Sequence, residues 1–190
     1  MSLQDQQNFL AQLFTDESLR HNFLLNPPKI GKENSLSEND ISQLKDILPK
    51  QLNFFADSLF HKRVQEVEKF LPLTFKVLNQ TFVKFFREFS QTFTPKTVKK
   101  HLEDANEFVN YLKQQNLESD WIKDLAKYEQ SRIVFNGYGK RFVFKKFNFD
   151  IRKILEEVSR QGAKGQSEFA RRRTLAIWVR IGKKSKQFIF

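Results

Sequence analysis

The chain has 190 residues, of which 39% are apolar, enough to build a core for one large domain or for a medium domain with a small appendage. It contains no cysteine, which excludes disulfides, thiolate metal sites, Cys-ligated iron–sulfur clusters and a Cys nucleophile. The net charge of +11 is segregated: residues 131–190 hold sixteen Lys and Arg against four Asp and Glu, whereas residues 1–130 hold seventeen against eighteen.

The first 130 residues follow a helical period. Segments 3–14 and 17–25, separated by Thr15-Asp16 as a cap and stopped before Pro27-Pro28, predict a helical hairpin within residues 1–28. Residues 29–36, with Gly31 as the only glycine before residue 137, have the composition of a linker. Ser37 is expected to cap a helix running to Leu48. Pro49 fits the first turn of the next helix, which carries Leu52, Phe55, Leu59, Phe60, Val64 and Val67 on one broad stripe. Beyond a break at Pro72, Phe82, Phe85, Phe86, Phe89 and Phe93 fall on one face of an amphipathic helix. With 22 phenylalanines in the chain, that face predicts a core built of rings. Thr94-Pro95 has the form of a cap and first-turn proline for a helix burying Val98, Leu102, Ala105, Val109 and Leu112. Ser119 opens the last helix of the body, with Trp121, Leu125 and Tyr128 along one side.

After Gln130 the period changes. Residues 132–136 and 141–149 are rich in Phe, Val and Ile and are flanked by Asn136-Gly137 and Gly139, which predicts a hairpin or two successive strands. Phe142 and Phe144 share one parity while Phe147 and Phe149 share the other, so a bulge at Lys145-Lys146 or a strand buried on both faces is expected. Asp150 is placed to cap a helix over residues 151–161. Thr174 to Ile181 alternates Leu175, Ile177, Val179 and Ile181 against Ala176, Trp178 and Arg180, and residues 187–190 form a terminal strand. The fold class is therefore α+β: a mainly helical body, residues 1–130, carrying a small basic module of helix and strand, residues 131–190.

The densest positive patch is Arg171, Arg172 and Arg173, followed by Arg180, Lys183, Lys184 and Lys186. Guanidinium forks bind phosphate or carboxylate, and neighbouring rings can stack on bases or peptide groups. Gly162-Ala163-Lys164-Gly165 has the GXXG form with which KH domains clamp a nucleic-acid backbone, and Lys164 joins the candidate set on that account. Polar Gln161 before the loop and the late position of Phe169 depart from that pattern and favour an ordinary glycine-rich loop. His21, His61 and His101 have no partners at metal-ligand spacing, and the carboxylate pairs 66/68, 103/104 and 156/157 suit exposed helix faces. No phosphate loop, dinucleotide fingerprint or nucleophile elbow occurs, so no cofactor is implied. No run approaches the ~18 consecutive apolar residues of a membrane span, and the N-terminal residues lack a signal-peptide pattern; a cytoplasmic address is expected.

Several segments together resemble a poorly characterised bacterial family with many cyanobacterial members. They are Ser58-Leu59-Phe60-His61-Lys62-Arg63, Phe70-Leu71-Pro72-Leu73-Thr74, Phe86-Arg87-Glu88-Phe89, Lys100-His101-Leu102-Glu103-Asp104-Ala105, Trp121-Ile122-Lys123-Asp124 with Tyr128-Glu129, and Leu175-Ala176-Ile177-Trp178-Val179-Arg180. The resemblance spans roughly residues 55–182 and extends distantly to proteins labelled as DNA-binding domains, whose better-known relatives are partner subunits of multinuclear non-haem iron oxidases that modify ribosomal peptides. It implies a helical N-terminal half, a β-rich C-terminal half and a non-catalytic partner role. Arg63, the Pro72 break and the Trp121/Glu129 pair would be fold determinants, and no catalytic residue is carried over.

Taken together, the expectation is a non-enzymatic binding or adaptor protein holding a protein or peptide partner through its basic C-terminal module, with the edge strand 187–190 offering its backbone to an extended peptide. The alternative is nucleic-acid binding through the same basic surface. An anionic membrane surface ranks third, and a small-molecule ligand is disfavoured.

Overall fold

The computed structural model describes residues 3–46, 49–161, 168–182 and 184–190. Among them are ten α-helices, one π-helical turn and a three-stranded antiparallel sheet, an α+β fold with a helical body. The chain divides into two compact units, residues 1–63 and 64–190.

Side-chain caps set the helices of the first unit. Asp16 accepts the Leu19 N–H at 2.8 Å and so separates α1 (Leu3–Thr15) from α2 (Glu17–Leu25). Pro27-Pro28 ends α2 as expected, but the same prolines also open a helix. Asn26 accepts the Lys29 N–H at 3.2 Å, Pro27 takes the first helical position, and α3 (Pro27–Glu33) occupies most of the stretch expected to be a linker. Ser37 and Asp40 form a capping box at α4 (Glu38–Lys45). Leu48 lies outside the described residues. Phe9, Leu13, Phe23, Leu36, Ile41, Leu44 and Leu52 make the core, with Phe9 and Phe23 packed edge to face at 5.4 Å. In α5 (Pro49–Glu68) the buried stripe is narrower than expected: Leu52 and Ala56 turn inward, whereas Phe55 and Leu59 stay exposed.

Gly31 corrects the linker reading in physical terms. It is buried in α3, where a Cβ would lie 2.4 Å from Ile41 Cγ1, so the glycine permits close packing of α3 on α4. Helix propensity alone would make Gly31→Ala stabilising by about 1 kcal/mol. The steric conflict is expected to reverse the sign, lowering stability by ~1–3 kcal/mol. Urea unfolding followed by far-UV circular dichroism checks this, and a raised midpoint would contradict the packing.

The second unit is organised around α9 (Asp120–Arg132). Pro72 opens α6 (Pro72–Leu78), which has no cap from its own neighbours. Glu129 of α9 supplies it from 55 residues away, accepting the Leu73 N–H and Thr74 N–H at 2.9 Å each and the Thr74 hydroxyl at 2.7 Å. On α7 (Gln80–Thr92), Phe82, Phe86 and Phe89 surround Phe108 of α8 (Lys100–Gln114) with ring centroids 4.9, 5.1 and 5.5 Å away. Phe85 and Phe93, expected on the same face, are only half-buried.

Two local expectations in this unit are overturned. Thr94-Pro95 does not open α8, which begins at Lys100; Glu103 instead accepts the Lys96 and Thr97 N–H groups at 3.1 and 2.9 Å, folding that segment onto the helix start and leaving Val98 fully exposed. Residues 132–136 are not a strand. The helix continues into a π-helical turn, Ile133–Gly137, that buries both Ile133 and Phe135. Burial there outweighs β propensity, and Gly137 admits Leu102, whose Cδ1 would lie 2.5 Å from a Cβ.

The sheet order is β1 (Phe142–Phe147), β2 (Thr174–Ile181), β3 (Lys184–Ile189), all antiparallel neighbours. α10 (Ile151–Gln161) packs on α6 and α9, and β1 on α9, so the change of period and charge near Gln130 falls inside this unit. Among the described residues no helix is long and apolar enough to cross a membrane.

Candidate functional site

The register of the sheet decides which side chains share a face. Val143, Phe147, Ala176 and Trp178 turn inward and are buried, with the Tyr128 ring of α9 lying 5.6 Å from Trp178. The β1 ladder is continuous from Phe142 opposite Val179 to Phe147 opposite Thr174, so there is no bulge at Lys145-Lys146. The parity shift has another cause. Phe147 is on the inward face of the strand, and Phe149 lies past its end, buried where Asp124 accepts the Asn148 and Phe149 N–H groups at 2.6 and 3.0 Å. Burial pushes the Asp124 carboxyl above its usual range, and the two backbone bonds oppose that rise.

The outer face is apolar as well. Across the strands, Phe142, Val179 and Lys186 form one row, Phe144, Ile177 and Phe188 the next, and Lys146, Leu175 and Phe190 the third, with Ile181 opposite Lys184 beyond the first. Phe142, Phe144, Ile181, Phe188 and Phe190 are 60, 42, 72, 44 and 63% exposed. Leu175, Ile177 and Val179 between them are half-buried. Natural sheets cover such a face, and an apolar patch rimmed by charge is the signature of an interaction surface.

Candidate basic residues from the sequence do not gather in one place. Lys184 and Lys186 stand on the outer face of β3, at one corner of the apolar patch, and Lys146 stands at the opposite corner. Arg180 belongs to the inward parity; its guanidinium lies over the Phe135 ring at 4.9 Å and donates to the Phe135 carbonyl at 3.4 Å. The exposed Arg171 pairs with Asp120 at 3.2 Å, and the exposed Arg172 pairs with the largely buried Asp150 at 3.4 Å. Arg171 and Arg173 also line a cleft of about 490 Å³ with Lys123, Asp120, Asp124 and Phe149, which mixes both signs of charge. Lys164, Lys183 and the GXXG loop lie outside the described residues.

The edge of β3 is also more restricted than the sequence reading allows. Leu175 and Phe190 exchange both backbone bonds, so the ladder's alternation turns Ser185, Gln187 and Ile189 toward the open edge. Arg152 donates to the Ile189 carbonyl, and the Gln187 side chain exchanges hydrogen bonds with the Tyr128 hydroxyl. On the helix side, Lys113 donates to the Gln130 side chain at 2.6 Å, and burial, then Lys145 and Lys127, hold its ammonium below the ordinary lysine range.

Phe142, Phe144, Phe188 and Phe190 are the site residues that sequence reasoning missed. The signal was present as two same-parity ring pairs, but nothing local says which face of a doubly apolar strand is the core. Among the described residues no group of three His, Asp or Glu could hold a metal ion. Compared with known proteins, the chain matches no family model and no curated protein.

Proposed function

We propose that this is a non-enzymatic binding or adaptor protein whose C-terminal sheet holds a protein partner against its outer face. The observation that carries this reading is the continuous apolar outer face, from Phe142 to Phe190, with lysines at its corners. Residues 55–182 resemble a poorly characterised bacterial family, and that family's distant similarity to proteins whose better-known relatives are partner subunits is in keeping with this reading. Edge pairing at β3 is the weaker mode, because lysines line that strand and Arg152 occupies one of its acceptors. A nucleic-acid reading is favoured by one specific feature: Lys184, Lys186, Phe188 and Phe190 share a face, placing cations beside exposed rings.

The test uses the full chain, since a cut at residue 130 would divide a packed unit. Phe144→Ser with Phe188→Ser changes two half-exposed rings and is expected to leave the fold intact while abolishing partner capture from the native source. Replacing Arg171, Arg172 and Arg173 by Gln is expected to leave capture largely unchanged. Retention of every partner by the ring variant sinks the proposal, and loss of all partners on nuclease treatment transfers the function to nucleic acid. In that case affinity should fall by about 0.7–0.9 logarithmic units per phosphate contact for each tenfold rise in salt.

A further inference from the structure

The shape and charge pattern of the outer face specify its occupant more closely, on the reading that this face holds a protein partner. We infer that it takes an amphipathic helix whose apolar stripe is flanked on both sides by acidic residues.

The three cross-strand rows give the face its shape. Apolar residues run as a diagonal band from Phe142 on β1, through Ile177 on β2, to Phe190 on β3. Lys186 and Lys184 lie on one side of that band, and Lys146 lies on the other. With strands ~4.8 Å apart and ~3.3 Å per residue along each, the diagonal is roughly 16 Å long. At 1.5 Å per residue that is about three turns of helix, and the ~9.6 Å between the outer strands matches a helix about 10 Å across. The half-buried aliphatic residues of β2 form the floor between more exposed rings, a channel that a rod fills.

Charge decides among the alternatives. A second copy of this chain would bring the same three lysines against its own +12 segment, so self-association through this face is opposed. Carboxylates flanking both sides of a partner's apolar stripe would instead meet Lys146 on one side and Lys184 and Lys186 on the other. For a single-stranded nucleic acid the central strand offers no ring on which a base could stack, and the lysines stand at corners instead of lining a track.

Four synthetic peptides of about 14 residues test the inference by fluorescence anisotropy with the full chain. They are an amphipathic helix with Glu flanking both sides of its stripe, the same peptide with Lys for Glu, a permuted acidic peptide, and the acidic helix with a central proline. The first is expected to bind at least about tenfold more tightly than the other three, a difference of ~1.4 kcal/mol. Phe144→Ser with Phe188→Ser should remove that preference, and Lys184→Glu with Lys186→Glu should shift it toward the Lys peptide. Equal binding of the permuted or proline peptide overturns the inference. So does binding only to vesicles of phosphatidylcholine and phosphatidylserine, which would make the face a membrane contact, or only to a single-stranded oligonucleotide. If the acidic helix fails while the ring variant still loses its native partners, helix docking falls and the adaptor reading stands. If neither responds, both fall.

Discussion

Glu129→Ala is expected to destabilise the 64–190 unit by about 3–5 kcal/mol. The carboxylate is 1% exposed and satisfies two backbone N–H groups at the start of α6 and the Thr74 hydroxyl. Pro72 removes one donor from that helix start, and no local side chain caps the others, so alanine leaves buried donors without an acceptor. Trp121 and Trp178, the only tryptophans, both lie in this unit, so their fluorescence during urea unfolding reports on it directly. An unchanged midpoint would contradict the capping role. pH gives a second readout. Burial raises the Glu129 carboxyl above the usual 4.5, opposed by its bonds to Thr74 and Leu73. Because the folded-state value is the higher one, the contribution is fully present below pH 4.5 and is lost as pH rises through the raised value. Glu129→Gln cannot titrate, so its stability should decline less than wild type across that window. Parallel pH profiles for the two proteins would count against the raised carboxyl.

Phe108→Ala should cost a comparable 3–5 kcal/mol, from lost burial and from the cavity left behind. Phe108 is fully buried, and its ring meets Phe82 and Phe86 edge to face and Phe89 at a tilt, while Tyr111 stacks at 6.3 Å. Edge-to-face pairs contribute about 0.5–1.5 kcal/mol each beyond area burial, so Phe108→Leu, which keeps most of the volume and none of the ring geometry, should lose roughly half as much. Tryptophan fluorescence in urea again separates the two variants. By contrast Phe144→Ser changes a ring 42% exposed on the outer face and should shift the midpoint by less than about 1 kcal/mol. If Phe144→Ser proved as damaging as Phe108→Ala, the outer face would be part of the folding core.

Much of the helical body was legible from short stretches of sequence, because a cap and a helical stripe are settled within about four residues. Asp16, Ser37 and the Phe82–Phe86–Phe89 face are examples. Other positions depended on distant partners. Gly31 resembles a linker glycine until Ile41 is placed against it, and Pro72 resembles a simple break until Glu129 supplies the missing cap. Residues 132–136 have strand composition, yet extending α9 buries Ile133 and Phe135.

The candidate site shows the same division. Sequence alone determined that residues 131–190 are basic, that strands form over 141–149, 174–181 and the C-terminal residues, and that Phe142 and Phe144 share a side. It also showed that β2 is apolar on both parities. Only the tertiary structure decided that Ala176 and Trp178 face the helices, leaving Ile177 and its neighbours outward, and that the arginine tract is dispersed onto Asp120 and Asp150. The reason is physical: strand alternation fixes which residues share a face, but the face that becomes the core is chosen by α9 and α10, elements remote in the chain whose own burial depends on that choice.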